Sequence, residues 1–231
     1  MQLMAHRGAP NGRFPENSLS AFHNALASGL KALEFDLRLT KDEQFIALHD
    51  ATPKRVCEAP EDEFSVPVYW QTLEHMRNFR FKGSSETLPS FDEVLGLLET
   101  DSDCMLFPEI KDPGPHAARR FLEVMQNHPQ RHRVVVLSFD HYQLRMVREL
   151  SDIGVCPLYR RRSRDIDTLD CEWEAPMAEL LLLEPSAVAQ AHRAGRRVAV
   201  WFLVAQRWSW LRSRMRALGV DALMVDTLEE K

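Results

Sequence analysis

Eight short apolar runs punctuate this chain, near residues 3–5, 32–38, 105–110, 134–138, 155–159, 180–183, 198–204 and 222–225, with helical patterns between them. Apolar runs of this length, bounded by turn residues, read as strands covered on both faces. Strands that alternate with helices imply βα units and a parallel sheet. The first unit shows the pattern. Leu3-Met4-Ala5 ends in His6-Arg7-Gly8, and a loop rich in Pro, Gly and Asn follows. Asn17 stands as N-cap to the periodic run Leu19, Phe22, Ala25 and Leu26, and Gly29 closes that helix. Eight such strands close into an α/β (β/α)8 barrel, or TIM barrel, and 231 residues suit one such domain spanning residues 1–231. Residues 51–87, with Pro53, Pro60, Pro67, an acidic Glu61-Asp62-Glu63 and a helical pattern at 72–79, read as a small insertion after the second strand. Residues 45–48 are left over as a hairpin return, and residues 165–176 read as polar and irregular.

A barrel of this kind carries its chemistry at the C-terminal ends of the strands. Polar residues collect there. His6 and Arg7 end the first strand, Glu34 and Asp36 lie on the second, and His49 ends its hairpin partner. Glu109 and Lys111 end the third, and Ser138-Phe139, Trp201 and Asp226 end later ones. In an extended chain residues i and i+2 share a side, so Glu34 and Asp36 project together, about 6–7 Å apart along the strand. Two carboxylates aimed at one point from an apolar strand are costly unless a cation or a proton shares the space.

In order along the chain, His6-Arg7-Gly8, Pro15-Glu16-Asn17-Ser18, Glu34-Phe35-Asp36-Leu37-Arg38-Leu39-Thr40-Lys41-Asp42, His49-Asp50, Leu88-Pro89-Ser90-Phe91, Glu109-Ile110-Lys111, Ser138-Phe139, Val200-Trp201 and Gly219-Val220-Asp221 with Asp226 resemble the glycerophosphodiester phosphodiesterase signature. The resemblance runs nearly the full length and keeps its order. It implies a barrel that hydrolyses small-molecule glycerophosphodiesters to an alcohol and sn-glycerol 3-phosphate with a divalent metal. By the same resemblance Glu34, Asp36 and Glu109 are metal ligands, His6 and His49 the general acid/base pair, and Arg7 and Lys111 phosphate contacts. Trp201 and Phe139 would wall the glycerol pocket. Three carboxylates are hard oxygen ligands suited to Mg²⁺ or Ca²⁺, and two imidazoles can divide proton removal from proton donation. The attacking group is either a water or the glycerol's own 2-hydroxyl, the latter passing through a cyclic phosphate.

The chain departs from the pattern in places. Neither Glu43 nor Gln44 in the hairpin turn is Gly, Phe202-Leu203-Val204 follow Trp201 where polar residues are usual, and Val225 precedes Asp226 in place of Thr. Pro108 inside the third strand predicts a bulge, because it removes a ladder donor. A net charge of −5 argues against a nucleic-acid partner. No apolar stretch is long enough for stable membrane insertion, and no leader pattern opens the sequence, so a cytoplasmic location with four reduced cysteines is the expectation. Oligomeric state is left open. Two other readings use the same barrel. One is a lysophospholipase D-like or cyclic-phosphate-forming enzyme, with Phe64, Val66, Val68, Tyr69 and Trp70 as an apolar wall. The other is a phosphodiester-binding barrel without turnover, which would need neither histidine.

Overall fold

The computed structural model describes residues 1–10, 12–58, 65–202 and 209–227. The chain divides into two compact units, one of residues 5–112 with the residues from 226 onward, the other of residues 1–4 with 113–225. Between the short first strand β1 (Gln2–Ala5) and β2 (Ala32–Leu39) runs helix α1 (Leu19–Ala27). The cap of α1 is Ser18, whose hydroxyl accepts from the Ala21 N–H, and not Asn17 as the sequence suggests. Asn17 sits at φ 59° and is thereby freed for another task. Strand β3 (Phe45–Ala47) returns antiparallel on the end of β2, pairing Leu37 with Ala47 and Leu39 with Phe45.

After β3 come a small two-stranded ribbon, β4 (Cys57–Glu58) with β5 (Arg80–Phe81), and a single helical turn, α2 (Leu73–Met76), shorter than the 72–79 pattern predicts. The apolar side chains of this stretch are not loose. Cys57, Val68, Met76, Phe79 and Phe81 bury against Ile46, Leu48 and Leu88. The Ser90 capping box starts α3 (Phe91–Leu95), and a short α4 (Leu97–Thr100) follows it. Phe35 packs edge-on against Phe22 at 5.6 Å and lies 6.1 Å from Phe91, which fixes β2 between α1 and α3.

Strand β6 (Met105–Ile110) pairs parallel with β2 without interruption, from Ala32 opposite Met105 to Leu37 opposite Ile110. No bulge interrupts this pairing at Pro108. Met105 and Lys111 donate to the carbonyls of Lys31 and Leu37, so the odd positions of β6 face β2 and the Pro108 nitrogen points away from it. The missing donor is therefore not one that the β2–β6 ladder uses. Glu109 stands opposite Asp36 in register.

The second unit alternates regularly. Helix α5 (Pro115–Met125) precedes β7 (Val135–Ser138), and α6 (His141–Leu150) precedes β8 (Gly154–Tyr159). One expectation fails next. Leu180–Leu183, read from sequence as a buried strand, is a helical turn, α8, with Leu183 exposed at 82%. The strand is β9 (Trp173–Pro176), inside the segment that reads as polar and irregular; the short helix α7 (Arg164–Thr168) precedes it. Helix α9 (Ser186–Arg193), β10 (Arg197–Val200), α10 (Ser209–Ala217) and β11 (Ala222–Val225) finish the pattern. Leu203 and Val204 lie outside the described residues, as does Phe64. The hydrogen-bonded order is β1-β11-β10-β9-β8-β7-β6-β2, and β2 pairs again with β1, which is the closed eight-strand order of a (β/α)8 barrel.

Candidate active site

Every charged residue singled out in the sequence for chemistry lies within the unit of residues 5–112. The chain after β1 makes one tight turn in which Arg7 and Ala9 adopt left-handed φ values of 50° and 51°. Such positions cost a non-glycine residue roughly 1–2 kcal/mol each, and they cluster where function over-determines the backbone. Gly8 between them is obligatory. A Cβ there would meet the Ala21 Cβ at 2.8 Å, and its φ is +83°. The turn aims the Arg7 N–H at Glu34 Oε2, 2.9 Å away, and leaves the Arg7 side chain free to turn back over β2.

Glu34, Asp36 and Glu109 are all buried, and each offers an oxygen within 4.8 Å of the other two. Asn17 grips Asp36 from both sides, its amide donating to Oδ2 at 2.9 Å and its carbonyl accepting the Asp36 N–H at 3.1 Å. Arg7 Nε lies 3.1 Å from Asp36 Oδ2, and Lys111 Nζ lies 2.8 Å from Glu109 Oε1 and 3.5 Å from Asp36 Oδ1. Three carboxylates thus face two cations. The shortfall shows in their titration. Burial, reinforced by Asp36 and Glu109, pushes the Glu34 carboxyl up to about 7. Burial and the nearby Asp36 likewise raise Glu109. Asp36 alone is held below the usual range, because Arg7 and Lys111 outweigh its burial. Asp36 Oδ1 is buried and accepts no hydrogen bond. An orphaned carboxylate oxygen among three hard ligands, one positive charge short, fits a divalent cation.

The histidines are matched. His6 Nδ1 meets Asp226 Oδ1 at 2.5 Å, and His49 Nδ1 meets Asp50 Oδ1 at 2.7 Å. A carboxylate at Nδ1 keeps the proton there and turns the Nε2 edge to the site. His6 Nε2 lies 3.9 Å from Glu34 Oε2. Arg38 holds the main chain of His49, its Nε and Nη2 donating to the His49 carbonyl at 3.1 and 2.8 Å while Nη1 pairs with Asp112. Burial would lower His6, but Glu34 and Asp226 raise it above its ordinary value. For His49 burial wins, helped by the charges of Arg7 and Lys111, and its value is lowered.

The sequence puts Asp226 at a strand end but gives no sign that it pairs with His6, 220 residues away. Nor does it mark Arg55, which pairs with both Asp50 and Glu16. Phe139 and Trp201 lie in the other unit, where they meet edge to face at 5.4 Å. Trp201 Nε1 donates to the Ala175 carbonyl, and the Arg160 guanidinium stacks 5.5 Å from the Phe139 ring and 5.8 Å from Trp201. Two residues on, Arg162 is drawn in against the buried Glu174.

The glycerophosphodiester phosphodiesterase of Caldanaerobacter subterraneus subsp. tengcongensis is 30% identical over 154 residues, covering 64% of this chain and 62% of that protein, which is less than two thirds of its length. Among solved structures, a glycerophosphodiester phosphodiesterase from Parabacteroides distasonis superposes with a TM-score of 0.82 at 20% identity, covering 97% of this chain and 92% of that one. An Oleispira antarctica phosphodiesterase in complex with the product sn-glycerol-3-phosphate superposes with a TM-score of 0.83 at 22% identity, covering 98% and 93%. The fold is shared across these structures. The glycerophosphoryl diester phosphodiesterase family matches residues 6–230, end to end with the motifs above, and the chain belongs to that family.

Proposed function

We propose that this protein hydrolyses glycerophosphodiesters to an alcohol and sn-glycerol 3-phosphate, with His49 as general base and His6 as general acid. One observation carries the reading: two Nδ1-anchored histidines share a unit with three buried, under-compensated carboxylates and with Arg7 and Lys111. A site that only bound phosphodiesters would need positive charge but no pair of oriented imidazoles.

His49, with its value lowered, is the imidazole that stays neutral near pH 7 and can take a proton at Nε2. His6, with its value raised by Glu34 and Asp226 against its burial, is the one of the two that holds its proton more firmly. In the reaction His49 Nε2 removes a proton from the attacking water as the new P–O bond forms. The P–O bond to the headgroup breaks, and the Nε2 proton of His6 passes to the departing alkoxide. Exchange with water then restores both imidazoles. If the glycerol 2-hydroxyl attacks instead, the cyclic phosphate so formed is opened by water in a second step with the two imidazoles in exchanged roles. Arg7 and Lys111 meet the charge that gathers on the phosphoryl oxygens. A divalent cation held by Glu34, Asp36 and Glu109 would add to that electrostatic stabilisation.

The test is a glycerophosphocholine assay that follows sn-glycerol 3-phosphate, with and without chelator, alongside His49→Ala. Activity lost to chelator, and lowered about 10²–10⁴-fold by the substitution, is the expected result. Full activity in His49→Ala would sink the base assignment.

One observation favours a wider substrate range. Tyr69 and Trp70 are exposed at 54% and 63%, ring to ring at 5.4 Å, on a turn whose Val68 N–H donates to the carbonyl of Ala51, two residues past His49. An aromatic pair so placed suits a single acyl chain. A higher kcat/KM on lysophosphatidylcholine than on glycerophosphocholine, reversed by Trp70→Ser, would support that range; equal effects on both substrates would remove it.

A further inference from the structure

Arg55 has the look of a substrate contact, a half-exposed guanidinium beside a site that handles phosphate, with 47% of its side chain open to solvent. Its hydrogen bonds say otherwise. Nε donates to Asp50 Oδ2 at 2.6 Å and Nη2 to Asp50 Oδ1 at 3.3 Å. Nη1 donates to Glu16 Oε2 at 2.7 Å and Nη2 to Glu16 Oε1 at 2.6 Å. Both edges of the planar fork are spent on carboxylates, so little of it remains for an anion in solution.

The two carboxylates matter because of what they hold. Asp50 orients His49 through Nδ1, and Glu16 accepts from Arg7 Nη1 at 3.0 Å. Arg7 in turn lies against Asp36. The chain His49–Asp50–Arg55–Glu16–Arg7–Asp36 is thus continuous within one unit. It ties the loop after β3 to the loop after β1, segments 39 residues apart at the Arg55–Glu16 contact. An exposed ion pair is ordinarily worth little, but this one is bidentate at both ends and one partner, Glu16, is only 18% exposed. Against burial, the Arg55 contact and then Arg7 keep Glu16 ionised below its usual range. Arg55 and His49 likewise hold Asp50 down at about 2.

We infer that Arg55 is a positioning residue for the hydrolysis proposed above: it clamps Asp50 and Glu16 together and so fixes the aim of His49 relative to Arg7. It acts through them and does not touch the substrate. The inference rests on the acid/base role given to His49, and it makes demands that a phosphate-binding arginine would not meet. A lysine cannot bridge two carboxylates bidentately, whereas it can still attract a phosphate.

The experiment uses the full chain with Arg55→Ala and Arg55→Lys, compared by kcat, KM and the imidazole ¹⁵N shifts of His49. Loss of the clamp is expected to lower kcat about 10–100-fold in both variants, the range for groups that orient others, with KM changed less than about threefold. Free guanidinium at non-denaturing concentration should restore part of kcat in Arg55→Ala, where equal NaCl does not. The His49 shifts should move from a fixed Nδ1–H tautomer toward a mixture. A rise in KM with kcat kept, rescued by Arg55→Lys, would overturn the inference in favour of a substrate contact. Unchanged His49 shifts in a folded Arg55→Ala would overturn it as well. Should Arg55→Ala fail to fold, Arg55→Lys decides alone through the same kcat and ¹⁵N readouts. His49→Ala separates the two readings: full activity there defeats the base assignment, while the His49 shifts in the Arg55 variants still report on the clamp.

Discussion

Each unit of the chain buries a cluster of charge, and the two clusters are built differently. In the unit of residues 113–225, Glu174 on β9 is wholly buried and satisfied on every side. Tyr159 donates to it at 2.8 Å, Arg162 Nη1 at 2.7 Å and Arg196 Nη1 at 2.8 Å. Arg196 spends its other donors on the Ile166, Asp167 and Leu169 carbonyls. Arg162 also pairs with Asp167 at 2.8 Å, so two guanidinium groups meet two carboxylates and the cluster is balanced. In the unit of residues 5–112 three carboxylates meet two cations, Glu34 is pushed up to about 7 and one buried Asp36 oxygen accepts no hydrogen bond, with Lys111 Nζ 3.5 Å away. Burial and charge are common to both clusters. Completeness is what separates a structural network from a site that waits for something.

The contrast predicts opposite results for the same chemical change. Glu34→Gln keeps an oxygen for the Arg7 N–H and removes a charge that the fold does not need. It should cut kcat/KM by at least about 10²–10³-fold and leave the melting temperature in metal-free buffer unchanged or higher. Glu174→Gln leaves the Arg196 guanidinium without a carboxylate and Arg162 with Asp167 alone. It should cost about 3 kcal/mol of stability, with kcat kept in the folded fraction. Denaturant melts and initial rates on both variants test the pair. Loss of stability in Glu34→Gln with activity retained would invert the comparison. Added Mg²⁺ or Ca²⁺ should stabilise the wild type, by about 2.7 kcal/mol at a hundredfold excess over Kd, and do nothing for Glu34→Gln.

The next effect concerns pH. As the proposed base His49 would act unprotonated, and it lies below its ordinary 6.5, so kcat/KM should rise with pH through a value on the acid side of 6.5. As the proposed acid His6 would act protonated, and it lies above 6.5, so the rate should fall through a value on the alkaline side. Asp226 contributes to holding His6 up. Asp226→Asn should therefore move the alkaline limb to lower pH and leave the acid limb in place. Movement of the acid limb alone would mean the two roles are reversed.

How far the sequence reveals these two clusters follows from how local their signals are. Glu34 and Asp36 are visible because a strand puts i and i+2 on one side, and Glu109 joins them in register across β2 and β6. The ordered motifs did the rest. Glu174 left no such trace. Its strand, Trp-Glu-Ala-Pro, has a charge and a proline in four residues, and its partners Arg162 and Arg196 lie in other segments. The four leucines of α8 then drew the strand assignment, since a short apolar run does not tell helix from strand by itself. Asp226 and Arg55 escaped for the same reason. Their meaning is in the partner, 220 residues from the one and 39 from the other.

The smallest expected effect tests how strain is tolerated within the unit that carries the site. Glu43 occupies the β2–β3 turn at φ 59°, where the sequence lacks glycine. The turn is over-determined by its neighbours. Thr40 donates to Asp42 at 2.6 Å and accepts the Gln44 N–H at 3.0 Å, and Asp42 accepts the Leu73 N–H at 3.0 Å. Glycine at position 43 would relieve roughly 1–2 kcal/mol of left-handed strain and lose about 0.5–1 kcal/mol to the freedom it gives the unfolded chain. Glu43→Gly should therefore gain about 0.5 kcal/mol, a rise in Tm of about 1–2 °C for a chain of this length, with kcat unchanged. Glu43→Ala keeps a Cβ in the strained conformation and should gain nothing. If alanine stabilises as much as glycine, the turn carries no backbone strain, and the departure from glycine there is a matter of side-chain contacts alone.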